Sequence, residues 1–261
     1  KGTPSGLAMT SDVNPVYCSL DPRRGGAQAV AEAVRNLAAV GADPVGLTDC
    51  LNFGNPENPE VAWQFREAIR GMSAACKALG VPVVSGNVSF YNETEGVSIP
   101  PTPTVAMVGV ISDLEHLPVA HFVEPGDRVL LLGEDHGEHG GSAWLRLLYE
   151  IEQGRPPEVD LEREKKLAEL LRILAYRGIA RTIHDLSDGG LAVALAESCF
   201  GRGLGVEAVW DDCLAASQEG QGDVWIHADL MPGNLLVRDG RLVAVIDCEG
   251  LCVGDLSVDL M

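Results

Sequence analysis

The chain has 261 residues, 46% of them apolar, with 19 basic against 38 acidic side chains and a formal charge of −19. That length favours two domains, and the apolar content excludes wholesale disorder. The acidic balance excludes a nucleic-acid or anionic-membrane surface, because counterion release needs clustered Lys and Arg. An anionic substrate would need a metal ion or backbone amides to offset this field.

Elements alternate from the start. "GLAMTSDV" is strand-like, and Ala27, Val30, Ala31, Val34, Leu37 and Ala38 then follow a helical rhythm that Gly41 and Pro44 end. "PVGLTDCL" reads as a buried strand entering the loop "NFGNPENP". Asn58 and Pro59 supply a cap and a first-turn proline, and Val61, Phe65, Ile69, Met72, Cys76 and Leu79 stripe the helix that runs to Gly80. "VPVVSG" and "TVAMVGVI" are further strands.

A second unit is expected from about residue 119. In it "EPGDRVLLLG" feeds a strand, "EDHGEHGGS" opens a helix, and Leu161 to Arg177 form an amphipathic helix closed by Gly178. "IARTIHDLSDGGLAVALAESCF" reads as strand, loop and Ala-rich helix. After about residue 209 the βα alternation stops, and a hairpin-rich segment with "RDG" as a turn takes over. The seven Cys (18, 50, 76, 199, 213, 248 and 252) form no C-x-x-C pair, so neither a disulfide framework nor a zinc site is indicated. No signal peptide is visible and the apolar runs are too short to span a bilayer, which gives a cytoplasmic reading with no membrane partner.

The chemistry gathers at strand ends. Asp49 closes one strand and "SGNVS" (Ser85 to Ser89) the next, and ligands in open α/β sheets collect at the carboxyl ends of strands. Asp49 suits a metal or a ligand hydroxyl. Gly86 would admit close approach of a nucleotide, and Asn87 offers Mg²⁺ a neutral oxygen. Asp, Asn and Gly also favour plain strand-end turns, so spacing alone leaves both readings open.

"LTDCLNFGNPE" with "VPVVSGNVS", inside the longer stretch from "LDPRRGG" to "YNETEG", closely resembles phosphoribosylformylglycinamidine synthase. The likeness continues through "GGSAWL", "GRPPEVDLEREKKL" and "HDLSDGGLAVALAE", to about residue 208. The resemblance implies an α/β fold with an A-type domain at 1–118 and a B-type domain at 119–208, of the aminoimidazole ribonucleotide synthetase-like kind, and it matches the C-terminal half of the family. It implies ATP contacts at Asp49 and Gly86, a Mg²⁺ ligand at Asn87 and a substrate contact at Ser89. The implied reaction turns formylglycinamide ribonucleotide into its amidine with ATP and with ammonia from a glutaminase subunit. The family's catalytic His and most of its Mg²⁺ carboxylates belong to the N-terminal half, so these residues alone are expected to be incomplete. The A-type face that normally meets that half is expected to pair with another copy as a homodimer.

Residues 209–261 resemble instead the C-terminal lobe core of aminoglycoside phosphotransferases and other kinase-fold enzymes. By that likeness Asp229 orients the acceptor hydroxyl, and Asn234 and Asp247 hold Mg²⁺. The pattern is altered at Ala228, Met231, Cys248, Glu249, Cys252 and Leu256, and the nucleotide-gripping lobe such chemistry needs does not precede it. The chain therefore reads as a composite joined near residue 209, with the synthase-like part as its functional identity. The alternatives are a kinase-fold remnant and a catalytically silent nucleotide-binding module. Two lesser candidates are a metal cluster at His136 and His139 with Glu134, Asp135 and Glu138, and an anion site at "HDLSDGG", for which Asp188 as a helix cap is the plainer reading. The alanines at 192, 194 and 196 suggest close helix packing.

Overall fold

The computed structural model describes residues 4–133 and 137–204, together with the backbone of four short strands between 224 and 254. The described chain forms two compact units, Lys1–Pro118 with Glu138–Asp185, and Val119–Gly137 with Leu186–Met261.

The first unit is a four-stranded sheet covered by helices on one face. β1 (Gly6–Asp12), β2 (Asp43–Asn52), β3 (Val83–Ser89) and β6 (Thr102–Ile111) lie in the order β1-β6-β2-β3, while β4 (Glu93–Thr94) and β5 (Val97–Ser98) form a small separate ladder. β1 and β2 both run antiparallel to β6, and β3 is parallel to β2, as the helical crossover between them requires.

Three helices begin on the same signal, an Asx side chain followed by proline. Asn14 caps α1 (Pro15–Leu20), Asp21 caps α2 (Pro22–Ala39) and Asn58 caps α3 (Pro59–Leu79), each side chain accepting from a first-turn N–H. Gly80 ends α3 in the left-handed region at φ 74°, which a glycine adopts without a Cβ penalty. α2 thus starts five residues before the apolar stripe at Ala27.

α2 and α3 pack closely because glycines stand at their crossing. A Cβ at Gly26 would meet the backbone of Ala68, and one at Gly71 the backbone of Arg23. The core beneath joins Val30, Val34 and Leu37 of α2 to Ala68, Met72 and Ala75 of α3 and to Leu47, Val105 and Met107 of the sheet. α4 (Ala143–Tyr149) and α5 (Leu161–Tyr176) also belong to this unit. α5 lies on α2, with Ala168 in the core, and two ion pairs tie it down: Arg35–Glu164 at 2.8 Å and Arg172–Asp43 at 2.8 Å. The polar stretch before α5 is held as well, since Arg24 donates to the Pro156 carbonyl at 2.7 Å and Gln28 to that of Pro157 at 2.6 Å.

The second unit contains α6 (Gly190–Phe200), against which Phe122 donates its N–H to the Ser198 carbonyl at 2.8 Å. Two expected strands are absent among the described residues. Residues 124–133 form no ladder, and Val129, Leu130 and Leu132 are left exposed; residues 179–183 carry only an isolated bridge at Thr182. An apolar run becomes a strand only where a partner strand satisfies its backbone, and neither run has one here. The cap of α6 is Gly189, in the left-handed region and without a side-chain hydrogen bond, rather than Asp188. Of the three alanines only Ala194 is buried, because residues two apart cannot share a helix face.

Further on, β7 (Val224–His227) pairs antiparallel with β10 (Leu251–Gly254), and β8 (Leu235–Arg238) with β9 (Arg241–Val245). Arg238 faces Arg241 across the second ladder, with Asp239 and Gly240 between them in sequence, the spacing of a two-residue hairpin.

Candidate functional site

β2 and β3 bring together the strand ends that the sequence singles out. Their parallel register sets Thr48 beside Ser85, Asp49 beside Gly86, Cys50 beside Asn87 and Asn52 beside Ser89. Successive side chains leave a strand on opposite faces, and this divides the four candidate residues into two pairs. Asp49 alternates with the buried Leu47 and Leu51 and so faces the helices, with Gly86 next to it. Asn87 and Ser89 fall on the open face, as does Ser85, which donates to the Thr48 hydroxyl at 2.7 Å.

On the helix side Asp49 lines an open cleft of about 670 Å³ with Leu51, Ile69, Met72, Ser73, Cys76 and Lys77 among its neighbours. No described residue donates a hydrogen bond to Asp49 or pairs with it. Burial therefore pushes its carboxyl above the usual range, with nothing pulling it back. The thiol of Cys76 is raised by burial first and then by the Asp49 charge, which puts the two groups within electrostatic reach. A Cβ at Gly86 would overlap the Asp49 carboxylate, so the glycine accommodates that side chain. Sequence reasoning assigned Cys76 and Met72 to the core stripe of α3. Their spacing of four places them on one face together, the one signal that could have joined them to Asp49.

On the open face Asn87 is exposed and has no hydrogen-bond partner among the described residues. Its amide oxygen is a fitting ligand for a hard cation, but the carboxylate among the four candidates, Asp49, lies on the other side of the sheet. Ser89 is tied to the following loop: its hydroxyl donates to Asn92 Oδ1 at 3.1 Å, and Asn92 Nδ2 donates to the carbonyls of Ser89 and Phe53, both at 2.9 Å. The rest of the open face is apolar towards β1, where Leu7 and Met9 are 74% and 76% exposed.

The other candidates fare differently. Glu138 accepts from the backbone N–H of Glu158, and Glu134, Asp135 and His136 lie outside the described residues. Among the described residues a different trio, Asp113, Glu115 and His116, has ligand atoms within 4.8 Å of one another on a surface turn. Asp229, Asn234 and Asp247 all lie outside the described residues. No helix among the described residues is long and apolar enough to cross a membrane.

Residues 2–111 match the family model of the AIR synthase related protein N-terminal domain, and residues 124–246 that of its C-terminal domain. The second match runs past residue 209 and takes in Asp229 and Asn234. The phosphoribosylformylglycinamidine synthase subunit PurL of Moorella thermoacetica is 56% identical over 207 residues, which is 79% of this chain and 28% of that protein. The chain thus spans little more than a quarter of the length of that relative. Among solved structures, T. maritima PurL complexed with ATP is 26% identical, covering 68% of this chain and 26% of that one, with a TM-score of 0.49. A HypE–HypF complex is 24% identical, covers 77% of this chain and 62% of that one, and has a TM-score of 0.54, a likeness of fold alone. With the two domain models in succession over most of its length, the chain belongs to the AIR synthase related proteins.

Proposed function

We propose that this chain supplies the C-terminal nucleotide-binding portion of a phosphoribosylformylglycinamidine synthase. What supports the reading most is the 56% identity to a synthase subunit over 207 residues. In the proposed reaction the amide oxygen of formylglycinamide ribonucleotide takes the γ-phosphoryl group of ATP, and ammonia then displaces phosphate to leave the amidine. Asp49 and Gly86 contact ATP, Asn87 gives one oxygen to Mg²⁺, and Ser89 contacts the substrate.

The division of these residues between two faces bears on how they would act. One amide oxygen cannot hold Mg²⁺ alone, so the phosphates and residues outside these 261 complete its shell. On this reading general acid–base work falls to parts of such a protein outside the matched quarter. The exposed Leu7 and Met9 face would meet that remainder or a second copy, and a cytoplasmic glutaminase subunit would deliver the ammonia. A phosphotransferase activity of the last fifty residues has no observation in its favour and forms no part of the proposal.

Mg-ATP should raise the melting temperature of the chain by mass action, and Asn87→Ala should reduce the rise that Mg²⁺ adds to ATP alone. Identical shifts in wild type and variant would remove Asn87 from the metal shell. No shift with millimolar ATP would count against nucleotide binding altogether.

A further inference from the structure

Ser89 carries one hydroxyl hydrogen, and its surroundings decide where that hydrogen points. At the end of β3 the Ser89 Oγ lies 3.1 Å from Asn92 Oδ1. The Nδ2 of the same amide lies 2.9 Å from the Phe53 carbonyl and 2.9 Å from that of Ser89 itself. Both hydrogens of that nitrogen are thereby used. Turning the amide over would set its oxygen against two carbonyl oxygens, so Oδ1 has to face Ser89, where it can only accept.

The frame around this amide is firm. Phe53 donates its N–H to the Ser89 carbonyl at 3.0 Å, Asn92 its own to the Phe53 carbonyl at 3.3 Å, and Tyr91 its own to that of Gly54 at 3.0 Å. Tyr91 holds a left-handed φ of 59° within this turn. The buried Phe53 meets Phe65 edge-on, and Phe65 meets Phe90 in the same way, so both loops are anchored to α3.

We propose that Asn92 is a positioning residue for Ser89, and that the Ser89 hydroxyl, its hydrogen held by Asn92, recognises a hydrogen-bond donor of the substrate. The inference rests on the reading of Ser89 as a substrate contact and adds the polarity of that contact. With its hydrogen committed, Ser89 offers lone pairs alone, which suit an amide N–H or a ribose O–H and repel a phosphate oxygen. Formylglycinamide ribonucleotide has donors of both kinds.

A mixture of this chain with the part of the Moorella thermoacetica subunit outside the matched 28% tests this through the KM values for the ribonucleotide and for ATP. Asn92→Ala frees the hydroxyl to turn its hydrogen outward. The KM for the ribonucleotide should then rise about two- to tenfold, as for one neutral hydrogen bond, with kcat and the KM for ATP little changed. Ser89→Ala should give a similar rise, and adding Asn92→Ala to it should change nothing more. An unchanged or lowered KM on Asn92→Ala would mean that Ser89 does not meet a donor, and would overturn the proposal. So would equal rises for ATP and the ribonucleotide, or a rise that persists in the Ser89→Ala background, since Asn92 would then be merely structural.

A second measurement leaves Asn92 in place. The dephosphorylated ribonucleoside, as a competitive inhibitor, should lose affinity on Ser89→Ala by the same factor as the ribonucleotide. No loss would show that the hydroxyl meets the phosphate, which again overturns the proposal. The 2′-deoxy and 3′-deoxy ribonucleotides separate the two donors. Loss of the Ser89→Ala effect with either assigns the donor to that hydroxyl, and persistence with both assigns it to an amide N–H. Absence of turnover in the wild-type mixture would overturn the synthase reading and this inference together.

Discussion

The carboxylate of Asp49 fills the space that a side chain at Gly86 would need: its Cγ lies 2.6 Å from where the Cβ would stand. The parallel register of β2 and β3 pairs the two residues directly. The obstacle to a larger residue is the end of a short side chain, so a substitution would turn Asp49 more than it would damage the sheet.

Gly86→Ala should therefore leave the melting temperature within a few degrees of wild type and weaken ATP binding by about tenfold or more. In an Asp49→Ala background the same substitution should have little further effect, because the space is then vacant. A double-mutant cycle measured by calorimetry checks this, and additive losses would mean that Gly86 acts independently of Asp49.

Gly71 presents the opposite case. A Cβ there would meet the backbone of Arg23 in α2, and no rotamer change can relieve a backbone clash. Gly71→Ala should destabilise the unit by about 1–3 kcal/mol, an overpacking cost, despite the better helix propensity of alanine. Urea unfolding measures it, and an unchanged or raised midpoint would show that α2 and α3 separate freely.

Asp12, at the end of β1, is buried. Burial raises its carboxyl above the ordinary range and Asp185 adds to the rise, while hydrogen bonds from Thr10 at 2.7 Å and Asn36 at 2.7 Å, and the charge of Arg35, oppose it. An acid whose folded pKa lies above its unfolded value holds its proton more tightly in the native state. Stability should then fall as pH rises from the unfolded value of about 3.9 through the higher folded one, and level off beyond it. Asp12→Asn should make that decline shallower without abolishing it, since Asp49 shifts in the same direction. Urea midpoints between about pH 4 and pH 7 give the slopes, and equal slopes would mean that Asp12 does not titrate as described.

Much of the first unit was legible because its signals are local. Asn58 with Pro59 and the apolar stripe to Gly80 specify α3 in full, and alternation gives β6. The same Asx-Pro signal at Asn14 and Asp21 announces α1 and the true start of α2, where the apolar rhythm alone does not. Long-range placement was not legible. α5 packs on α2 through Arg35 and Glu164, a pairing 129 residues apart that no local pattern encodes. The site divides in the same way. That Asp49 and Gly86 are neighbours follows from two strand ends, but that Asn87 and Ser89 face the other side depends on the parity of an exposed strand whose pattern shows no alternation.

The most direct test of the central claim is reconstitution. The chain would be mixed with the part of the Moorella thermoacetica subunit that lies outside the matched 28%, and phosphate release measured with formylglycinamide ribonucleotide, ATP, Mg²⁺ and ammonium. The account predicts release that needs both pieces and the ribonucleotide, and that Asn87→Ala largely abolishes. Turnover by the 261-residue chain alone, or a stable mixed complex that binds ATP and releases no phosphate, would contradict it.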